Sequence, residues 1–204
     1  MATQLVSSGS SPSFSSLVVN PMPIYGSISI QGLSPNMNDR WFIKENLCQP
    51  DVMGGLPLHF FAVYDGHGSY HVSSLCEDLM HTFVAEELMH IQNVSRGGND
   101  GSGVNTSSLA QCTHQQGWED LIQRALKNSF ERMDQAALGN CSCDRASNIC
   151  RCRSFVYNIS GSTANVAILS LHHIMIANCG ISRAVLCRGG KAFPLSQDHK
   201  VILF

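Results

Sequence analysis

Charge is scarce in this 204-residue chain: Lys and Arg together number 13, Asp and Glu 15, and only 14% of residues are charged. The formal net charge of -2 excludes the broad basic field that nucleic acid or an anionic membrane surface would need, so neither is expected as a partner. Long apolar runs are also missing. The longest, Ala164 to Gly180, is interrupted by Ser170, His172, His173 and Asn178 and falls short of a membrane span. The first 39 residues contain no Lys or Arg, which reads against an Arg-rich transit peptide despite the serines between Ser7 and Ser16. A charged leader followed by a continuous apolar stretch is absent from the same region. Cysteine, by contrast, is plentiful, but nine is an odd number and fits reduced thiols better than a disulfide framework. That composition points to the nucleus or cytoplasm.

With 44% hydrophobic residues the chain can bury one sizeable core, and one domain is expected. Residues 1–23 are rich in Ser and Pro with little apolar periodicity, and read as a disordered tail before a domain over 24–204. Within the domain, Tyr25 to Ile30 alternates like a half-buried strand and Asp39 to Ile43 reads as a second. Phe60 to Tyr64 forms a third, antiparallel to its neighbour. Val72, Leu75, Leu79, Phe83, Val84 and Leu88 recur at helical spacing and predict a helix over 70–91. Trp118 to Leu138 repeats the pattern. Residues 95–111 and 139–158 read as variable loops. Ser162 to Ala167, Ile174 to Asn178 and Arg183 to Cys187 give three β-rich segments, so the whole order implies an α+β fold with helices covering a sheet.

The stretch with most chemistry is Phe60-Phe61-Ala62-Val63-Tyr64-Asp65-Gly66-His67-Gly68. An apolar strand here delivers a carboxylate, a flexible turn and an imidazole to one sheet edge, an arrangement suited to a hard metal ion beside a proton donor. Metal-assisted hydrolysis is the reaction class it suggests. An isolated Asp-Gly is ordinarily only a turn, and Asp39 alone would ordinarily be a strand-start carboxylate.

Three separated segments nevertheless coincide with one family. Phe60 to Gly68, Gly161-Ser162-Thr163-Ala164, and the run from Ala177 through Gly180-Ile181-Ser182-Arg183 to Lys191 resemble the motifs of the metal-dependent protein phosphatase 2C family, in its order and approximate spacing. Tyr25-Gly26-Ser27, Asn46-Leu47-Cys48 and Met80 to Leu88 are similar to the plant group that opposes abscisic acid signalling, in particular its germination-associated branch. The resemblance implies a four-layer αββα sandwich with a binuclear Mg²⁺ or Mn²⁺ site. It also implies that water is the nucleophile toward phosphoserine or phosphothreonine in protein substrates. By motif position Asp65 bridges the metals, the Gly66 carbonyl binds one of them, and His67 protonates the leaving oxygen. Asp39 aligns with an acid that orients metal-bound water. The partners implied are stress-hormone kinases as substrates, with hormone receptors and seed-dormancy regulators as binding proteins.

Departures from the family pattern cluster at the same site. Ser34 stands where an Arg would grip the substrate phosphate, and a hydroxyl cannot reproduce that bidentate charged contact. Asn38 replaces a Glu, discarding a negative charge. Ser69 replaces a Gly, which matters if the backbone there needs positive φ. Ile181 stands where an aspartate associated with a third metal is expected, and supplies no oxygen ligand. Two further aspartates of the family lie beyond the point at which this sequence stops, so the chain reads as C-terminally truncated. Three outcomes follow from the sequence: an active phosphatase, a catalytically inactive binding protein, or a fragment without function of its own.

Two other groupings read as structural. Cys141, Cys143, Cys150 and Cys152 suggest zinc, but their C-x-C spacing is not that of a zinc site, and a variable reduced loop is the preferred reading. Gly161 to Ala164 lacks the glycine spacing and lysine of a phosphate loop and reads as a tight turn into a strand.

Overall fold

Alternate residues of one strand set the architecture. In the computed structural model, which describes residues 2–7, 22–51, 54–96, 114–139 and 160–200, strand Leu58–Tyr64 buries Leu58, Phe60, Ala62 and Tyr64 on one face. Phe61 is half-buried on the other face and Val63 is 48% exposed there. The period of two therefore separates a core face from a second, partly open face.

The strands are β1 (Ala2–Ser7), β2 (Arg40–Cys48), β3 (Leu58–Tyr64), β4 (Gly66–His67), β5 (Gly161–Ser162), β6 (Ala164–Leu169), β7 (His173–Cys179), β8 (Val185–Arg188) and β9 (Lys191–Pro194). Five of them form one antiparallel sheet in the order β1-β7-β6-β3-β2, while β4-β5 and β8-β9 are separate two-stranded ladders. Rows such as Ala62↔Val166 and Val166↔Ala177 align small and branched side chains across the core face. Helices α1 (His71–Arg96) and α2 (His114–Gly139) cover that face. On α1, Cys76, Met80, Val84 and Leu88 are buried at intervals of four, the stripe a straight helix presents to one neighbour. Ile122, Ala125, Leu126 and Met133 form the corresponding buried stripe on α2, at the spacings of three, four and seven that share one helix face.

Between the helices, Arg132 donates to Glu86 and Glu87 and lies 4.3 Å over the Phe83 ring. Glu87 also accepts from Asn128, and these donors hold its carboxyl below the usual range against the opposing effect of burial. No described helix is long and apolar enough to cross a membrane.

The fold is α+β, and the described residues supply a helix layer and the sheet it covers. Three expectations change. Ala2–Ser7 falls in the stretch read as a disordered tail but pairs as β1 along the outer edge of β7, where it satisfies that strand's open backbone groups. Tyr25 to Ile30, expected as a strand, has no ladder partner among the described residues. Its alternation survives only as extended chain with Ile28 and Ile30 exposed, while the Tyr25 ring meets Phe61 edge-on at 5.4 Å. The helices are longer than their periodicity predicted, α1 running on to Arg96 and α2 starting at His114. Apart from their first residues, the predicted loops over 95–111 and 139–158 lie outside the described residues, as do Cys141, Cys143, Cys150 and Cys152.

Burial raises the Cys76 thiol from its ordinary 9.0 to about 12, with a smaller contribution from nearby Cys179, and Cys48 to about 11. Both thiols stay protonated in the folded chain after the unfolded chain has begun to lose its protons. Stability is thus fully present below pH 9 and falls as pH rises toward 12. Urea unfolding measured at pH 8 and pH 10.5 is expected to show lower stability at the higher value, with a shallower decline in Cys76→Ala.

Candidate metal and proton-transfer site

The end of β3 carries the site. Past Tyr64 the chain leaves the five-stranded sheet, and Gly66 and His67 pair instead with Ser162 and Gly161 in the small β4-β5 ladder. Asp65 occupies the junction. Its backbone is tied at both ends to one residue: Thr163 N–H donates to the Asp65 carbonyl at 2.9 Å, and Asp65 N–H donates to Thr163 Oγ1 at 3.1 Å.

Asp39 reaches the same place from the segment just before β2. Arg40 Nη1 donates to the carbonyls of Met37 at 2.7 Å and Asp39 at 2.8 Å, while its Nε reaches Ser74 Oγ at 3.2 Å. Buried Ser73 donates to the Asn38 carbonyl at 2.5 Å, and its Oγ also lies 2.9 Å from the Tyr70 carbonyl. The start of α1 therefore fixes the backbone on both sides of Asp39.

The Asn38 carbonyl, next to Asp39, lies close against Gly66, next to Asp65, so the two acids come together. The Asp65 carboxyl is raised above its ordinary range, first because the surrounding chain strips part of its hydration although the residue keeps exposed surface, then by the Asp39 charge and a hydrogen bond with Asp39, with His67 acting in the opposite sense. Two carboxylates held together in this way lack positive charge, and hard divalent cations prefer such oxygen donors. The donor chemistry of Asp39 and Asp65 suits such a cation. Among the described residues no group of three His, Cys, Asp or Glu side chains gathers around a metal position.

Close approach requires glycine at position 66. A Cβ on buried Gly66 would meet the Asn38 carbonyl oxygen and lie 2.7 Å from Ser73 Oγ. A Cβ on Gly161 would meet His67 Nε2 and lie 2.6 Å from Cε1, so the imidazole rests against Gly161 and a larger residue there would displace the ring. His67, Asp65 and Asp39 are all exposed, leaving the acids and the imidazole accessible from one side.

The departures fall as follows. Ser34 is exposed in a bend, where its carbonyl accepts from Gln31 Nε2 at 2.7 Å. Asn38 is half-buried and held through its backbone. Ile181 is 55% exposed. Ser69 does not occupy positive φ, and its hydroxyl instead meets His71 Nδ1 and Ser160 Oγ, each at 2.8 Å. The glycine-to-serine change is therefore accommodated without backbone strain. Sequence reasoning missed Arg40 and Ser73 because their partners are backbone carbonyls, which no side-chain pattern reports. Thr163 had a signal in Gly161-Ser162-Thr163-Ala164, read as a turn rather than as a support for Asp65.

An antiparallel α+β scaffold here brings two acids and an imidazole to one end of its sheet. The protein phosphatase 2C family model matches residues 24–202, and the chain belongs to that family. It is 44% identical over 178 residues to probable protein phosphatase 2C 75 of Arabidopsis thaliana, an alignment covering 87% of this chain and 39% of that protein. It is 34% identical over 194 residues to protein phosphatase 2C 53 of Oryza sativa subsp. japonica, covering 88% of this chain and 39% of that protein. The chain thus spans about two-fifths of the length of these relatives.

Proposed function

We propose that this chain carries part of the catalytic centre of a Mg²⁺- or Mn²⁺-dependent protein serine/threonine phosphatase that restrains abscisic acid signalling in the nucleus or cytoplasm. The observation that supports it most is the meeting of Asp39 and Asp65 beside His67. In this reading Asp39, Asp65 and the Gly66 carbonyl hold the cation. Bound there, the cation supplies Lewis-acid chemistry for phosphoryl oxygens and for water. His67, held against Gly161 with its ring exposed, delivers a proton to the departing serine or threonine oxygen. Arg40 and Ser73 keep the Asp39 backbone from drifting away from Asp65. The substrates proposed are phosphorylated stress-hormone kinases, with hormone receptors and seed-dormancy regulators as partners.

A second reading, a binding protein with little turnover, is favoured by Ser34, Asn38 and Ile181, which bring neither the phosphate grip nor the extra carboxylates of the family pattern. Mn²⁺-dependent phosphate release from a phosphothreonine peptide separates the two. Under the first reading release is measurable and falls by about 10²-fold or more in Asp65→Ala. A cooperatively folded wild-type chain that releases no phosphate would support the second.

A further inference from the structure

The β3–β6 register runs as far as Val63↔Asn165, and Asp65 lies just beyond it. A regular antiparallel ladder would continue through main-chain groups alone. Instead, Asp65 N–H is received by the Thr163 side chain, while the Thr163 carbonyl accepts from Ser162 Oγ at 2.8 Å. A hydroxyl has replaced a backbone acceptor at the point where the chain turns from the large sheet into β4.

That hydroxyl is itself held. Thr163 is buried, and its Oγ1 lies 2.5 Å from Ser182 Oγ, so the two hydroxyls share a hydrogen bond. Gly180, at φ +100°, gives the Thr163 methyl its place: a Cβ there would come within 2.7 Å of Cγ2. Ser182 is fixed in turn by Asn165 Nδ2, which donates to its carbonyl at 3.0 Å and to Asn178 Oδ1 at 2.9 Å. Asn178 Nδ2 donates to the carbonyls of Gly180 and Gln197. Buried side-chain amides thus hold Ser182, Ser182 orients Thr163, and Thr163 holds Asp65 through its backbone N–H.

We propose that Thr163, backed by Ser182, is a positioning residue that keeps the Asp65 carboxylate in register with Asp39 for a divalent cation. The proposal rests on reading Asp39 and Asp65 as the cation site. The bland alternative is a hydrogen bond that merely stabilises a bend, and the two differ in what a hydroxyl-preserving substitution restores.

The test uses the full 204-residue chain as wild type, Thr163→Val, Thr163→Ser and Ser182→Ala, with Val166→Ala as a control for lost stability on the same strand, away from Asp65. Mn²⁺ affinity is read from the electron paramagnetic resonance of free Mn²⁺, and Asp65 amide exchange by NMR. Thr163→Val is expected to weaken Mn²⁺ binding and to speed Asp65 amide exchange by about tenfold each, the loss of one hydrogen bond. Thr163→Ser restores both to within about threefold, and Ser182→Ala shows a smaller change in the same direction. Val166→Ala lowers the unfolding temperature without changing Mn²⁺ affinity. The proposal is overturned if Thr163→Val binds Mn²⁺ as wild type does, or if Val166→Ala weakens binding as much. Should Thr163→Val not fold, an unchanged Mn²⁺ affinity and Asp65 exchange in Ser182→Ala would overturn it. A wild-type chain that binds no Mn²⁺ overturns the cation reading and this proposal with it, whereas wild-type binding with an indifferent Thr163 overturns this proposal alone.

Discussion

Replacing Phe60 by Ala is expected to cost about 3–5 kcal/mol, enough to leave much of the chain unfolded, since folded domains typically hold only about 5–15 kcal/mol in reserve. Phe60 has no exposed surface and sits in the middle of β3, between the helix layer and the sheet. Its ring meets Phe42 at 6.3 Å and His81 at 6.4 Å, both in tilted or edge-on contact. Those neighbours belong to β2 and α1, so a cavity there loosens three elements at once. Urea unfolding followed by circular dichroism measures the cost. Val63→Ala, three residues along the same strand but on the open face, is expected to cost less than about 1 kcal/mol. Equal costs for the two would show that the faces of β3 have been assigned wrongly.

Gly66→Ala is expected to damage stability and the site together. The added methyl group meets the Asn38 carbonyl and Ser73 Oγ, and neither can give way cheaply. The first is backbone, and the second is fixed by its contacts with the Asn38 and Tyr70 carbonyls. Overpacking of this kind costs about 1–3 kcal/mol, more when backbone must move. For a domain of this size that lowers the unfolding midpoint by roughly 2–12 °C. The yielding element is the Asn38-Asp39 segment, so Asp39 is displaced from Asp65. Calorimetry and Mn²⁺ titration on the same sample should therefore report a lower midpoint and weaker binding. A lower midpoint with unchanged Mn²⁺ affinity would show that Asp39 is not a ligand.

Much of this was legible in the sequence because it depends on local period. Phe60 to Tyr64 could be read as a strand, and Val72 to Leu88 as a helix, since a side chain's face follows from its spacing. Asp65, Gly66 and His67 could be picked out because they adjoin that strand in an order with chemical sense. Tyr25 to Ile30 shows where the method fails: alternation specifies an extended chain, but a strand exists only when another strand lies beside it. Ala2–Ser7 fails in the opposite direction, having weak local pattern but an edge to pair with in β7.

The sequence by itself determined the α+β class, the strand that ends in Asp65, the apolar stripes of both helices and the absence of a strong charge field. Only the tertiary structure decided that Asp39 meets Asp65, that Gly66 is required by what lies against it, that the His67 ring rests on Gly161, and that Thr163 holds Asp65 across 98 residues of chain. The physical reason is range. Periodicity reports the interactions of a residue with its own element, whereas a hydroxyl that receives one particular backbone N–H is selected by where a distant loop happens to pass.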